Sequence, residues 1–305
     1  MPRPAVLRAL RAYVRHLPAA PGTSALAGWL SDQLTAQPVT ATARTRFGAD
    51  FPVTTSDVIQ RYLYLFGVWE PHLTQFITGR LRPGDGFVDV GANIGYYSVL
   101  ARSLVGPTGP VVAIEPCPDF HLALRRNTDA DGWGTVRTVQ AAVGTEPGPV
   151  TFYLETSTNL GGTTTVRPRT VESTFQAQAA PVHELVTAEE FAAARLIKID
   201  VEGAEAAAVT TLLPVLDRLR DDAELLIEVT PRSLAKQGLT VDDVLGPLKH
   251  AGFHIYRVVN DYDAASYPRD LRHPTAALRW GAPITTMTDL VLSRTDAETL
   301  PLQRP

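Results

Sequence analysis

Residues 87–98 read FVDVGANIGYYS, and this stretch decides the fold. Its first four residues form a short, mostly apolar run that predicts a buried strand, and the residues after Gly95 predict a helix. Gly91 and Gly95 lie in the turn between the two elements. Glycine at such a turn lets the backbone approach a ligand closely, and the helix N-terminus offers free N–H groups. The stretch therefore favours a nucleotide- or nucleoside-binding turn.

Strands and helices alternate on both sides of this turn. Strands are predicted at 87–90, 111–115, 136–143, 150–154, 196–200, 224–229, 254–259 and 289–293. Helices are predicted at 94–104, 119–130, 202–213 and 241–251. The alternation implies an α/β fold with a doubly wound, mostly parallel sheet and right-handed crossovers. We expect the last strand to run antiparallel beside residues 254–259.

The chain is predicted to divide after residue 82. Residues 1–82 form an accessory region of helices and one hairpin, and residues 83–305 form the ligand-binding α/β domain. In the accessory region, a strand over 39–47 returns over 51–54, and two helices follow. Ser56 is expected to cap the first of these helices, Gly67 to end it, and Pro71 to begin the second. Insertions at 144–194 and 260–288 are expected on the substrate side.

The composition is that of an ordinary globular protein. The chain has 305 residues, 45% of them hydrophobic, and a net charge of −4. Cys117 is its one cysteine, so an intrachain disulfide is impossible. No apolar run approaches the ~20 residues that cross a bilayer, and no global positive charge attracts nucleic acid. We expect a cytoplasmic protein without a stable membrane span or a nucleic acid partner; a homodimer is left open.

Glu115 follows the second strand at a spacing that suits ribose recognition. It lies 20 residues after Gly95 and is expected at the carboxyl end of the neighbouring strand. An acidic side chain there can accept hydrogen bonds from both ribose hydroxyls. The dinucleotide pattern G-x-G-x-x-G is not met, because Asn93 stands at its second glycine. The pattern thus favours an adenosyl ligand over a dinucleotide.

Residues 197–205 read IKIDVEGAE and carry the third group of polar side chains. Alternation along a strand places Lys198 and Asp200 on one face. If this strand lies beside the first one, Asp200 lies at the topological switch point, where ligands bind in doubly wound sheets. Glu202 and Glu205 open the next predicted helix; for Glu205 we favour a helix-start acid, and for Glu202 both a structural and a functional role stay open.

At these residues the chain resembles the FkbM family of methyltransferases. The similar stretches are WEP at 69–71, FVDVGANIGYYS at 87–98, IEP at 114–116, IKIDVEGAE at 197–205 and IEV at 227–229. The resemblance covers about residues 40–260 in consistent order. It implies a class I methyltransferase (Rossmann-like) sheet, S-adenosylmethionine as methyl donor, and O-methylation of a small-molecule hydroxyl. The acceptor is expected to be a secondary metabolite or a sugar.

The resemblance also suggests roles for individual residues. Residues expected to hold the methionine end and the turn are Asp89, Gly91, Asn93 and Gly95, with Glu115 on ribose and Ala142 and Val143 near adenine. Asp200 is the first candidate for the general base, and a role in orienting the cofactor's amino group is weighed equally. His183 and Glu202 are further catalytic candidates. No catalytic metal is expected, since the chain has no clustered His/Cys motif. The alternative left open is that Asp200 with Glu202 helps to hold Mg²⁺ through water.

Two departures from the family pattern leave alternatives open. Such proteins usually have a Leu-Asp pair before the strand of Asp200, where this chain reads VHEL at 182–185, and Thr230 stands where many have His. Both positions fall near the expected acceptor side. The alternatives are a nicotinamide-dependent oxidoreductase, which the broken glycine pattern disfavours, and a non-catalytic adenosyl-binding protein.

Overall fold

The computed structural model describes residues 4–129, 136–154, 163–164, 173–201 and 203–302. The chain forms two compact units. The first joins residues 4–75 to residues 259–275, and the second comprises the rest of the described chain. The division after residue 82 and the substrate-side insertions stay predictions.

The first unit contains helices and the predicted hairpin. Its elements begin with α1 (Pro4–His16), α2 (Thr23–Ala36), β1 (Thr40–Arg44), β2 (Asp50–Thr54) and α3 (Val58–Phe66), and α4 (Pro71–Arg80) begins in this unit and ends in the second. The antiparallel pairing of β1 with β2 confirms the hairpin. Gly67 ends α3 in the left-handed region, as predicted. The predicted cap Ser56 is wrong: the extended backbone of Asp57 lets its carboxylate accept the Gln60 N–H at 3.0 Å.

The basic helix α1 packs on its own unit. Leu7 and Val14 are buried, and Arg11 donates to the Tyr64 carbonyl at 2.6 Å. Arg46 likewise donates to the Phe66 carbonyl at 3.1 Å. These guanidinium groups meet the C-terminal end of α3, where the helix dipole and unpaired carbonyls favour cations.

The second unit is built on strands that alternate with helices. The strands are β3 (Gly86–Val90), β4 (Val111–Ile114), β5 (Arg137–Val139), β6 (Ala142–Val143), β7 (Gly148–Leu154), β8 (Thr163–Thr164), β9 (Ser173–Ala180), β10 (Ala194–Ile199), β11 (Glu224–Val229), β12 (His254–Val258), β13 (Ala277–Arg279), β14 (Thr288–Ser293) and β15 (Thr299–Leu300). The helices are α5 (Tyr96–Val105), α6 (Pro118–Asp129), α7 (Val182–Leu185), α8 (Ala188–Ala193), α9 (Glu205–Leu212), α10 (Pro231–Lys236) and α11 (Val241–His250), and α12 (Tyr267–Asp270) belongs to the first unit.

Nine of the described strands form one large sheet in the order β15-β13-β12-β14-β11-β10-β3-β4-β5. The strands from β11 through β10, β3 and β4 to β5 pair in parallel, whereas β14 runs antiparallel between β11 and β12. This is the predicted doubly wound sheet with its antiparallel last strand. β3, β4 and β10 are buried along their whole length, as expected for parallel strands covered on both faces.

The third predicted strand, over residues 136–143, is not continuous. β5 stays at the edge of the large sheet, whereas β6 pairs in parallel with β9 in a small sheet of order β6-β9-β7-β8. β5 lies partly exposed at the edge of the large sheet, whereas β6 is buried where it pairs with β9. The sequence analysis did not predict β9.

Candidate active site at the carboxyl edge of the large sheet

The glycine turn after β3 is held by the backbone of two neighbouring strands. The N–H groups of Gly91 and Ala92 donate to the Ile114 carbonyl at 2.9 and 3.0 Å. On the other side, the Asp200 N–H donates to the Val90 carbonyl at 2.9 Å. The carboxyl ends of β3, β4 and β10 therefore meet at this turn.

Gly91 is required by a close approach of backbone. Its φ of 86° lies in the left-handed region. A Cβ atom on Gly91 would lie 1.8 Å from the Asp200 carbonyl oxygen. No side chain fits in that space, so the glycine lets β3 and the end of β10 lie together. The sequence predicted a close approach to a ligand at this position; in the folded chain the close neighbour is Asp200.

Asn93 and Gly95 complete the turn. Asn93 has a φ of 51°, and its Oδ1 accepts the Ile94 N–H at 2.7 Å. A short polar side chain of this kind tolerates the left-handed region. Gly95, with a φ of 86°, is the N-cap of α5 and has no capping side chain. The turn thus leads directly into a helix N-terminus, whose dipole favours polar or anionic ligand groups.

Glu115 lies against this turn. Its Oε2 accepts the Asn93 N–H at 2.8 Å, and its Oε1 accepts the Cys117 N–H at 2.9 Å. Burial raises the pKa of Glu115 to about 7, against the lowering effect of these two hydrogen bonds. Each carboxylate oxygen can accept more than one hydrogen bond. The contact predicted between the glycine turn and an acidic side chain one strand away is present.

Asp89 is a buried carboxyl with an unused oxygen. Ser98 Oγ donates to its Oδ2 at 2.6 Å, whereas its Oδ1 has no hydrogen-bond partner among the described residues. Burial raises the pKa of Asp89, and Lys198 and Ser98 act in the opposite direction. A buried unpartnered oxygen needs an explanation, and a cationic ligand group supplies one.

Lys198 and Asp200 form an ion pair on the predicted face of β10. Lys198 Nζ lies 2.6 Å from Asp200 Oδ2, and Lys198 is aligned with Asp89 across the parallel pairing of β10 with β3. Lys198 also lies over the Tyr97 ring, with Nζ 5.1 Å from its centroid. The Asp200 side chain keeps 35% of its surface exposed, in contrast to the buried Asp89 and Glu115.

The other predicted site residues have different surroundings. Ala142 and Val143 are buried in β6, paired with Ala179 and Ala180. His183 is exposed on α7, and its Nδ1 lies 2.8 Å from the Thr211 carbonyl, in the last turn of α9. That turn is about 9 Å along α9 from its first residue at the carboxyl edge, so the structure does not bring His183 to the carboxylates. Glu202 lies outside the described residues. The roles of all four stay predictions.

Glu205, which the sequence analysis treated as a helix-start acid, is buried in the structure. It is 2% exposed, and burial raises its pKa to about 7, against the lowering effect of nearby backbone N–H groups. The charge of Asp200 also raises it. A helix-start acid is normally solvated, so the burial could not be read from the motif; it depends on β11, which follows 19 residues after Glu205 in the chain.

These groups fit an adenosyl ligand that carries an amino acid end. Glu115 offers carboxylate oxygens to ribose hydroxyls, Asp89 offers an unused oxygen to an ammonium group, and the start of α5 offers its dipole to a carboxylate. S-adenosylmethionine has these three features. Among the described residues, no group of three or more His, Cys, Asp or Glu is arranged to hold a metal ion.

Comparison with known proteins agrees with this geometry. Residues 89–255, more than half of the chain, match the methyltransferase FkbM domain. Curated relatives are the protein-L-isoaspartate O-methyltransferases of Ignicoccus hospitalis, 34% identical over 68 residues, and Methanopyrus kandleri, 32% identical over 81 residues. The alignments cover 22% and 26% of this chain and 32% and 36% of those proteins, so the chain spans about a third of the length of the curated relatives it matches.

Two solved structures illustrate what this chain is similar to in fold. A S-adenosylmethionine-dependent O-methyltransferase of Thermotoga maritima is 13% identical with a TM-score of 0.40, covering 84% of this chain and 78% of that one. Aeropyrum pernix fibrillarin with natively bound S-adenosylmethionine is 10% identical with a TM-score of 0.38, covering 84% and 99%. These low values transfer no acceptor to this chain. No helix in the described ranges has the length and apolarity that a bilayer crossing needs. By the domain match, the chain belongs to the FkbM family of S-adenosylmethionine-dependent methyltransferases.

Proposed function

We propose that this methyltransferase transfers the methyl group to a hydroxyl oxygen of a small molecule, a secondary metabolite or a sugar. The observation that carries the proposal is Asp200, whose side chain is 35% exposed at the end of β10. Asp89 and Glu115 are at most 5% exposed, so an incoming acceptor reaches Asp200 before either of them. A hydroxyl has a high pKa and benefits from a carboxylate that accepts its proton.

The residues divide the work between holding the donor and activating the acceptor. When bound, S-adenosylmethionine supplies an electrophilic methyl carbon. Glu115 holds ribose, and Asp89, Gly91, Asn93 and Gly95 hold the methionine end. Lys198 Nζ donates to Oδ2 of Asp200, so Oδ1 is left to take the proton that the acceptor hydroxyl loses. As the acceptor oxygen bonds to the methyl carbon, the carbon–sulfur bond of the donor would break and S-adenosylhomocysteine would leave. Orientation of the reacting groups supplies much of the remaining acceleration.

Other acceptors and roles remain alternatives to be tested. The two curated relatives are named for protein isoaspartate, a carboxyl acceptor, which makes an isoaspartyl peptide the natural competitor of a hydroxyl compound. Asp200 could instead orient the donor's amino group. Membership of a methyltransferase family argues against the hypothesis of a nicotinamide-dependent oxidoreductase. A cytoplasmic location, a homodimer and the absence of a nucleic acid partner stay predictions.

The test is methyl transfer from S-adenosylmethionine labelled in its methyl group. The protein is incubated with sugars, phenols, aliphatic alcohols, amines and an isoaspartyl peptide, and labelled products are identified by mass spectrometry. We expect label on a hydroxyl oxygen. Label confined to the peptide or to amines contradicts the proposal.

Asp200→Asn distinguishes a general base for the acceptor hydroxyl from a residue that orients the donor's amino group. We expect turnover to fall about 10²- to 10⁴-fold with donor Kd changed less than about threefold. Asp242→Asn, on the surface of α11 with an 80% exposed side chain, is the matched control and should leave both unchanged. A loss of donor affinity equal to the loss of turnover would assign Asp200 to the donor.

A further inference from the structure

Three arginine side chains lie together at the C-terminal end of α3, within the first unit. Arg11 Nε donates to the Tyr64 carbonyl at 2.6 Å, and Arg46 Nε donates to the Phe66 carbonyl at 3.1 Å. Arg46 also reaches Arg15, whose carbonyl accepts a hydrogen bond from Arg46 Nη2 at 2.8 Å. Three positive charges therefore lie at one helix end, and we call these three side chains the arginine cluster.

Arg15 is the buried member of the arginine cluster. It is 9% exposed, its Nη2 donates to the Arg44 carbonyl, and its Nη1 is buried without a hydrogen-bond partner in the described part of the chain. Gly67 makes room for the guanidinium group, since a Cβ atom on Gly67 would lie 2.7 Å from Nη1. Burial and the charges of Arg11 and Arg46 lower the pKa of Arg15 to about 10, so the group stays charged near neutral pH. The fold thus holds a buried cation with an unused donor.

Acidic side chains do not balance the charges of Arg11 and Arg15. Helix α1, which carries both, contains no acidic residue. Asp50 pairs with the exposed Arg44, with 2.9 Å between Oδ2 and Nη1, and no described carboxylate forms an ion pair with Arg11 or Arg15. The end of α3 supplies only about half of an elementary negative charge. The helix end therefore explains the hydrogen bonds to its carbonyls, but not a buried cation without a counterion.

We propose that the arginine cluster binds a phosphate group. A phosphate dianion brings two negative charges and several acceptor oxygens, and its geometry matches the planar fork of guanidinium donors. A carboxylate would bring one charge and two oxygens to three cations, so phosphate fits the cluster better. Arg46 is exposed and Arg11 is half-buried, so the ligand enters from their side and offers an oxygen to Nη1 of Arg15. The site does not depend on which acceptor the enzyme methylates.

Free phosphates and lipid headgroups share this chemistry, and the test separates the two sources. Thermal unfolding is followed with inorganic phosphate or pyrophosphate, against sodium chloride at matched ionic strength. Saturating S-adenosylmethionine keeps the donor site occupied. Sedimentation with phosphatidylglycerol–phosphatidylcholine vesicles, against phosphatidylcholine alone, tests a lipid source. We expect free phosphate to raise the melting temperature along a saturable curve that chloride does not reproduce.

Two other results of the wild-type experiment are decisive. Binding confined to the phosphatidylglycerol vesicles would place the phosphate group on a lipid headgroup. The absence of both a saturable shift and vesicle binding overturns the proposal.

Arg11→Gln removes one charge from the cluster at a position that is not fully buried. Glutamine keeps a donor for the Tyr64 carbonyl, so the variant should fold, whereas the phosphate Kd should rise about 10- to 100-fold. Arg11→Lys keeps the charge and should bind within about fivefold of the wild type. Arg125→Gln removes the same charge from the exposed surface of α6 and is the matched control, with an unchanged Kd. A folded Arg11→Gln that binds phosphate or vesicles as tightly as the wild type overturns the proposal.

Discussion

The two edges of the large sheet both bury charged side chains, but they balance them differently. At the amino edge, Oε2 of Glu224, at the start of β11, accepts hydrogen bonds from Arg80 Nε at 2.8 Å and Arg195 Nη1 at 3.1 Å. All three residues are 3% exposed. At the carboxyl edge, Asp89, Glu115 and Glu205 are buried carboxyls, and Lys198, the buried cation at this edge in the described part of the chain, is paired with Asp200 instead.

The difference teaches which edge is built for a ligand. A buried ion cluster whose charges compensate each other holds the fold together, and removal of one member leaves an uncompensated charge. An excess of buried carboxyls, with unused oxygens on Asp89 and Glu205, is costly in the free protein and is explained by a cationic ligand. We expect substitutions at the amino edge to act on stability and substitutions at the carboxyl edge to act on ligand binding.

Glu224→Gln tests the amino edge and should have the largest effect. The change leaves the Arg80 and Arg195 guanidinium groups buried without their carboxylate, which costs about 3 to 5 kcal/mol of the free energy of unfolding. Urea denaturation measures this loss. Donor Kd, measured by calorimetry on the folded variant, should stay within about threefold of the wild type. A loss of donor affinity without a loss of stability would break the comparison.

Gly91→Ala tests the turn at the carboxyl edge. The new Cβ atom would lie 1.8 Å from the Asp200 carbonyl oxygen, so the ends of β3 and β10 must separate. We expect donor affinity to fall at least about 100-fold and stability to fall by about 3 kcal/mol, from backbone strain and displacement together. Thermal unfolding and calorimetry measure the two effects.

Gly106→Ala is the matched control for this substitution. Gly106 also has a positive φ, 66°, but no atom lies within 4 Å of its added Cβ. It should therefore lose about 1 to 2 kcal/mol of stability from the backbone alone and keep donor affinity. If the two variants bound the donor equally well, Gly91 would have no special place in the site.

The features that the sequence predicted are those that depend on short stretches of chain. The glycine turn, the acidic residue at the end of the next strand and the shared face of Lys198 and Asp200 follow from local spacing, and the structure brings them together. The adjacency of β3 and β10 was only a condition of that analysis, and the parallel pairing of the two strands meets it.

The features that sequence analysis missed depend on partners distant in the chain. Residues 142–143 leave the large sheet because β9, more than 30 residues later, pairs with them. Glu205 is buried at the start of α9, and Nδ1 of His183 lies 2.8 Å from the Thr211 carbonyl in the last turn of that helix. A local pattern carries no information about such contacts.

The pH dependence of the free energy of unfolding is the smallest of the predicted effects, and it tests the excess of buried carboxyls at the carboxyl edge. The folded-state pKa values of Glu115 and Glu205, about 7, lie above the value of 4.5 for the unfolded chain. Each carboxyl therefore binds its proton more tightly when folded; its contribution to stability is complete below pH 4.5 and is lost as the pH rises through 7. Between pH 6 and pH 8 the ligand-free protein should lose about 1 kcal/mol for each carboxyl.

Urea denaturation at the two pH values measures the loss, and Glu205→Gln should remove about half of it. Saturating S-adenosylmethionine should reduce it as well, because the cation compensates the carboxylates that ionise. A stability that rises from pH 6 to pH 8 would mean that the carboxyl edge holds no excess of buried acid.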